Sequence, residues 1–348
     1  MKKLAITLLI SALTTLGSVT PVVAAEKKTT GKTTVVAGSS KKVLAQKAGT
    51  RNKPVARSSK KKPLQAGATA RKGRVARKSA SVRKVAALPE EWEGGNPALG
   101  SASVLVMDQH SGVPLLEKNA QVVVPIASIS KLMTAMVVLD AGLNLNEVIN
   151  ISDEDVDYLK GTRSRLKVGS AMTRDTALLL ALMSSENRAA NALGRHYPGG
   201  LPAFVAAMNR KASALGMSHT RFEEPTGLSV NNVSTARDLA RMVVAAHQYP
   251  KIREYSTMAG ARVDLGHRIL DFNNTNVLVK NPGWQIGLSK TGYISEAGRC
   301  LVMQTWVADK PVVMVLLDSD GKMTRVGDAT RIKRWMESAD GGRRNTGA

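Results

Sequence analysis

Apolar and polar positions recur along this chain with two periods, and the changes between them mark out its elements. Ala102, Val104 and Val106 fall at every second position between Ser101 and Asp108, the period of a strand. His110-Ser111-Gly112 marks a turn and Val113 to Glu117 returns, which predicts a hairpin. From Leu132 the period becomes that of a buried helix, with Leu132, Ala135, Met136, Val138 and Leu139 at helical spacings. Glu147 to Ser152 reads as a short strand, and Gly161 to Gly169 as a basic loop. Thr173 and Asp175 open a second helical pattern that carries Leu178, Leu179 and Leu182 and runs on to Leu193. Leu201 to Leu215 is a third helix, stopped by Gly216. Glu224-Pro225-Thr226-Gly227 is a turn, and Ser234 to Ala246 a helix with Ser234 as its N-cap. The remainder is mainly sheet: Gln285 to Tyr293, Arg299 to Ala308 and Pro311 to Asp318 read as successive antiparallel strands, with Asp309-Lys310 turning the last pair. A helix over Val326 to Met336 closes the pattern, with Ala329, Ile332 and Trp335 on one face. Strands at both ends with helices between them predict an α/β (α+β) fold whose sheet is built from both ends of the chain.

Composition divides the chain rather than classifying it. The formal charge is +23, yet nineteen of the 50 Lys and Arg residues fall between Glu26 and Pro89, where Glu26 is the single acid. That stretch has no period and no large apolar face, so it cannot offset its ordering entropy, and 26–90 is predicted to be a basic disordered linker. It has no aromatic residue, and a single-strand nucleic-acid surface would want stacking platforms among the charges, so nucleic acid is not the expected partner. An anionic envelope surface fits one-signed charge better. Before the linker, Met1-Lys2-Lys3, the apolar run Leu4 to Leu16 and the small residues Val23-Ala24-Ala25 have the organisation of a secretory signal peptide cut near Ala25. The predicted location is therefore the periplasm, with no transmembrane span in the mature chain. Residues 91–338 are the expected catalytic domain and 339–348 a short disordered tail. Cys300 has no partner cysteine and apolar neighbours, which points to a buried thiol.

The candidate chemistry begins at Ser128. It sits where a loop turns into the helix of Leu132, with Lys131 three residues on and on the same face. A serine hydroxyl needs a base within hydrogen-bond reach, and a lysine can be that base if it loses its proton. The helix start supplies N–H groups where an oxyanion would develop. Ser185-Glu186-Asn187 follows in the second helical run, and Lys290-Thr291-Gly292 in a strand. No His-x-x-x-His pair or Gly-x-Ser-x-Gly elbow is present, so neither a metal site nor a serine–histidine triad is expected, and no cofactor. Glu223-Glu224 reads as a solvated pair on a turn.

Three motifs in this order resemble the low-molecular-mass penicillin-binding proteins, the serine D,D-peptidases, and most nearly their penicillin-binding protein seven type, the D-alanyl-D-alanine endopeptidases. The resemblance spans Leu99 to Glu337. It implies a β-lactamase/D,D-peptidase-like fold: an antiparallel sheet flanked by N- and C-terminal helices, with an inserted all-helical subdomain. It implies Ser128 as nucleophile, Lys131 as base with its pKa lowered by burial and by Lys290, Ser185 as proton relay, and Asn187 as a holder of Lys131 and substrate. It also implies Lys290 and Thr291 as carboxylate ligands, Gly292 as clearance for substrate, and the N–H groups of Ser128 and Tyr293 as an oxyanion hole. The substrate implied is cross-linked peptidoglycan muropeptide, with β-lactams as covalent inhibitors. The middle motif has Glu186 where aspartate is usual, and Ser130 stands where threonine is common. A class A β-lactamase would carry a Glu-x-x-Leu-Asn loop, which this sequence lacks. A D-alanyl-D-alanine carboxypeptidase and a non-catalytic wall-binding or β-lactam sensor protein are the other readings. The short basic ending after Glu337, with no second β-rich domain, favours the endopeptidase branch.

Overall fold

The computed structural model describes residues 95–345 except His267. The predicted signal peptide and the whole of the predicted linker lie outside the described residues. In chain order the elements are β1 (Ser101–Asp108), β2 (Pro114–Lys118), β3 (Val124–Pro125), a 3-10 turn (Ala127–Ser130), α1 (Lys131–Asp140), β4 (Val148–Asn150), β5 (Ala171–Thr173), α2 (Arg174–Met183), α3 (Asn187–Arg195), α4 (Gly200–Ala214), β6 (Val233–Ser234), α5 (Ala236–Ala246) and α6 (Pro250–Thr257). They continue with β7 (Gly260–Asp264), β8 (Ile269–Asn273), β9 (Gln285–Ile294), β10 (Gly298–Val307), β11 (Lys310–Ser319) and α7 (Thr324–Asn345).

Five strands form one antiparallel sheet in the order β2-β1-β11-β10-β9, which joins the first strands to the last. Both faces of its centre are covered, so β11 is apolar without a break. Val312, Met314 and Leu316 pack with Ala329, Ile332 and Met336 of α7; Val313, Val315 and Leu317 face the helical region. The helix at the heart of that region is α1, whose Leu132, Met133 and Met136 are fully buried. A helix apolar nearly all round has to be central, and each such side chain contributes roughly 1.5–3 kcal/mol by leaving water. Asp328 of α7, also fully buried, accepts hydrogen bonds from Ser101 N at 2.7 Å and Ser101 Oγ at 2.6 Å, fastening the last helix to the first strand.

This is the expected sheet with a helical insertion. Helices lie on both of its faces, α5 on one and α7 on the other. The flanking N-terminal helix has no counterpart among the described residues, where residues 95–100 lead straight into β1. Several boundaries differ for local reasons. Ser234 is in β6, paired with Val124, and Thr235 caps α5 by accepting from Asp238 N at 3.1 Å. The β10–β11 turn is Ala308-Asp309, both at positive φ, as a two-residue hairpin requires. The closing helix continues past Glu337 to Asn345, since no proline interrupts it and the Gly341-Gly342 pair weakens a helix without ending it.

Candidate active site

Three elements converge where the edge strand β9 passes the 3-10 turn before α1. Ser128 rides that turn, half-buried, and the residue before it, Ala127, is held in the left-handed region at φ 48°. A non-glycine residue there costs about 1–3 kcal/mol and persists only where its surroundings fix it. Here the surroundings are identifiable. Ser130 Oγ donates to Ala127 O at 2.9 Å and accepts from Asn232 Nδ2 at 3.0 Å. Thr134 Oγ1 donates to Pro225 O at 2.7 Å. Gly227, at φ 83°, lies so close to the carbonyl of Ala127 that a Cβ on it would collide. Gly292 of β9 is nearly as close: a Cβ there would lie 3.0 Å from Ile126 O and 3.1 Å from Ser128 N. The glycine of the third motif is thus what lets the strand edge reach the serine.

Lys131 is fully buried, and its Nζ donates to Ser128 Oγ at 2.8 Å, Asn187 Oδ1 at 2.7 Å and Thr226 O at 2.6 Å. Asn187 Oδ1 and Thr226 O can only accept. A neutral amine would give its two N–H bonds to them and turn its lone pair to the serine hydroxyl. Burial favours that neutral form, lowering the Lys131 pKa from 10.5 to about 7 against the opposing pull of Glu224 and Glu186. Lys290 is buried as well, and its Nζ donates to Ser185 Oγ at 2.8 Å and Thr291 O at 2.9 Å. Its pKa falls well below the ordinary lysine value, first through burial and then through the nearby charges of Lys131 and Arg325. Burial, one of the two expected causes, is the leading one at both lysines, and the like charge of its neighbour adds to it at Lys290.

Ser185 and Asn187 are not inside a continuous helix. Helix α2 stops at Met183, Ser185 takes φ 61°, and Asn187 starts α3. The break turns Ser185 towards Lys290 while Asn187 faces Lys131. Glu186 points away from both, accepting from Ser164 Oγ at 2.7 Å and Arg165 Nε at 3.1 Å, and so holds the Gly161–Gly169 loop. Asn187 Nδ2 donates to Thr162 Oγ1 of that loop at 3.1 Å. Thr291 Oγ1 donates to Thr275 Oγ1 at 2.6 Å, and the ring of Tyr293 is exposed, with the Arg299 guanidinium 4.4 Å from its centre.

Sequence reasoning passed over the support beneath this site. Glu224 is no solvated carboxylate: it accepts from Thr226 N and Thr226 Oγ1, both at 2.5 Å, from Gly227 N at 2.6 Å and from Asn232 Nδ2 at 3.1 Å. It thereby shapes the loop whose Thr226 carbonyl holds Lys131. The Pro-Thr-Gly turn was the available signal. Arg325 of α7 was also unread; its Nη1 donates to Gly292 O and Cys300 O, both at 2.9 Å. Cys300 is buried as expected, with its thiol pKa pushed up to about 11 by desolvation. Among the described residues no group of three His, Cys, Asp or Glu side chains is placed to hold a metal, and no helix is long and apolar enough to cross a membrane.

Residues 91–321 match the family described as D-alanyl-D-alanine carboxypeptidase, Peptidase S11. The chain belongs to this family of serine D,D-peptidases. The peptidase is 53% identical over 262 residues to the D-alanyl-D-alanine endopeptidase of Pseudomonas aeruginosa, covering 75% of this chain and 83% of that one. It is 48% identical over 244 residues to the D-alanyl-D-alanine endopeptidase of Escherichia coli, covering 70% and 79%. Among solved structures it resembles the Streptomyces K15 DD-transpeptidase with a TM-score of 0.65 at 27% identity, covering 70% of this chain and 98% of that one. The peptidase thus has the D,D-peptidase/β-lactamase-like fold and is a serine hydrolase of D-alanyl peptides.

Proposed function

We propose that this serine D,D-peptidase is an endopeptidase that hydrolyses D-alanyl cross-links in peptidoglycan. Lys131 takes the proton of Ser128, and the freed Oγ adds to the D-Ala carbonyl. The resulting oxyanion is met by the N–H groups of Ser128 and Tyr293. Collapse breaks the amide, and the departing amine receives a proton relayed through Ser185 beside Lys290. Water then cleaves the Ser128 ester, releasing the D-Ala carboxylate and restoring the hydroxyl. Asn187 positions Lys131 and the substrate amide, Lys290 and Thr291 bind the leaving group's carboxylate, and Gly292 lets substrate lie along β9 as an added strand.

The observation that carries this reading is the buried Lys131, 2.8 Å from the serine and with both other acceptors oriented to leave its lone pair for that hydroxyl. The endopeptidase assignment is supported by the names of the relatives at 53% and 48% identity, against 29% for a Streptomyces D-alanyl-D-alanine carboxypeptidase. Export through the 1–25 segment to the periplasm, with cleavage near Ala25, belongs to the same reading, as do acylation by penicillin and a tethering role for the basic 26–90 stretch.

The test is incubation of purified protein with cross-linked muropeptide dimers and with uncross-linked pentapeptide, resolved by mass spectrometry. Conversion of dimers to monomers is expected, with weak release of D-Ala. Release of D-Ala with dimers intact would assign a carboxypeptidase. A fluorescent penicillin should label the protein stably; rapid release of the label would assign a β-lactamase, and absence of label a non-catalytic protein.

A further inference from the structure

A cavity of about 530 Å³ lies on the helical face of the sheet, over β1 rather than β9. Leu105 and Met107 of β1, Leu215 beyond α4 and Val244 of α5 form its apolar floor. In the sheet β1 stands three strands from β9, roughly 14 Å at the usual spacing, and no residue of the three motifs lines the cavity. Its volume is in the range that holds a small ligand. The cavity bordered by Asn187 and Thr226, the two acceptors of Lys131, measures about 160 Å³. The larger space is therefore separate from the catalytic one.

Helix α5 divides between core and cavity. Leu239, Ala240, Val243 and Ala246 are buried in the core. Arg237, Arg241, Val244 and, just past the helix end, Gln248 recur at helical spacing on another face and border the cavity. Among the described residues no carboxylate lines it. The acids nearest the arginines are already engaged. Glu117 takes Arg237 Nη2 at 2.7 Å. Asp238, buried, accepts from His219 N at 2.8 Å and Thr220 Oγ1 at 2.9 Å as well as from Arg241 Nη1 at 2.6 Å. A guanidinium carries five N–H donors, and each arginine spends one nitrogen on its pair. The Arg237 and Arg241 side chains keep 40% and 52% of their exposure, which leaves their other donors to solvent or ligand. Gln109 also borders the cavity; its Nε2 lies 3.3 Å from His247 Nδ1, and its Oε1 is buried with no partner among the described residues. An unpaired buried acceptor is costly, and turning this side chain to an N–H in the cavity removes the cost.

We infer that this cavity binds the free carboxylate end of an uncross-linked peptidoglycan stem peptide. The carboxylate goes to Arg237 and Arg241, alanine methyls lie against Leu105, Met107 and Val244, and a backbone N–H reaches Gln109. An alkyl carboxylate would satisfy the arginines but leave Gln109 and Gln248 facing hydrocarbon. A peptide alternates amides with small apolar groups, as the lining does. The site holds the protein to a stem near the one being cut, and so raises the effective concentration of the catalytic serine on the wall. The inference rests on the wall substrate proposed above and adds a second contact with it.

The test uses the full chain with its serine blocked by penicillin, so that binding is read away from the catalytic site. The probe is a fluorescent, N-acylated stem tetrapeptide ending in D-Ala, with its C-terminal amide as control. Changing acid to amide should weaken binding about tenfold, the lower end for one charge-assisted hydrogen bond. Arg241→Gln should weaken the acid by about the same factor and leave the amide unchanged. Val244→Trp, which fills the floor, should abolish binding of both. Hydrolysis of soluble muropeptide dimers should be unchanged in Arg241→Gln, while digestion of intact sacculi slows several-fold. Acid and amide bound alike, or binding that survives both substitutions, overturns the inference. So does tighter binding of decanoate, which would assign the cavity to an acyl chain, or of a leucine-ended L-peptide, which would assign it to a protein C-terminus. Loss of dimer hydrolysis in Arg241→Gln overturns it too, by making that residue structural. Protein that takes no penicillin label fails the function proposed above, and the same comparison of peptides on unlabelled wild type and variants then decides this site.

Discussion

Ser128 and Lys131 form the smallest unit in which the chemistry can be read. Ser128→Ala should abolish penicillin labelling and peptide turnover while circular dichroism and thermal unfolding stay unchanged; covalent label remaining on that variant would remove Ser128 as nucleophile. The pH dependence follows from the sign of the Lys131 shift. Burial lowers its pKa to about 7, so the neutral fraction grows as pH rises through that value. Acylation by penicillin should accordingly rise from pH 6 to pH 8 and fall away in acid; a profile flat across that interval would contradict Lys131 as base. Lys290→Ala removes a charge-assisted contact worth roughly 1.5–3 kcal/mol. It should therefore lower acylation by one to two decades on substrates with a free carboxylate, and much less on the corresponding amides. These residues were legible because their chemistry is fixed by type and spacing. The depth of the Lys131 shift was not, because burial is set by residues distant in sequence, among them Thr226 and Asn187.

Local elements were legible where a period or a breaker was present, and illegible where tertiary packing overrode it. The apolar run from Leu178 to Leu193 continues with helical spacing and contains neither proline nor glycine at Ser184-Ser185, yet the chain breaks there into α2 and α3. What enforces the break is Ser185 turning to Lys290, a contact 105 residues away that no local window contains. The strands β9, β10 and β11 were legible because long apolar runs bounded by turns admit few other readings. The β7–β8 hairpin was missed: Gly260–Asp264 and Ile269–Asn273 bury only Val263 and Phe272 between them, too few positions to register as a period. The loop below Lys131 yields a prediction at this scale. Gly227→Ala places a Cβ against the Ala127 carbonyl in a backbone conformation that L residues avoid. It should destabilise the protein by at least about 1–3 kcal/mol, measured by urea unfolding, and slow acylation because the turn under Ser128 must shift. Unchanged stability and labelling would show that this close approach is not required.

At the scale of the whole molecule, charge and core are segregated. Removal of 26–88 should leave turnover of small substrates intact and weaken retention on purified sacculi, more at low salt than at 0.15 M, where the screening length is about 8 Å. Retention equal with and without the segment, and indifferent to salt, would make it a passive linker. The sheet has a consequence of another kind, for the order in which the protein can be made. Its second strand from the edge, β1, borders β11, so that Ser101 Oγ meets Ser319 Oγ across 218 residues of chain. The partner is the last of the described strands to be made. Until β11 arrives, β1 and β2 are a lone hairpin, which is marginal in water, and the apolar face that β1 turns to the helices has nothing beside it. Closing so long a loop is entropically costly and slow. The sheet therefore cannot close until β11, the last of the described strands, has been made.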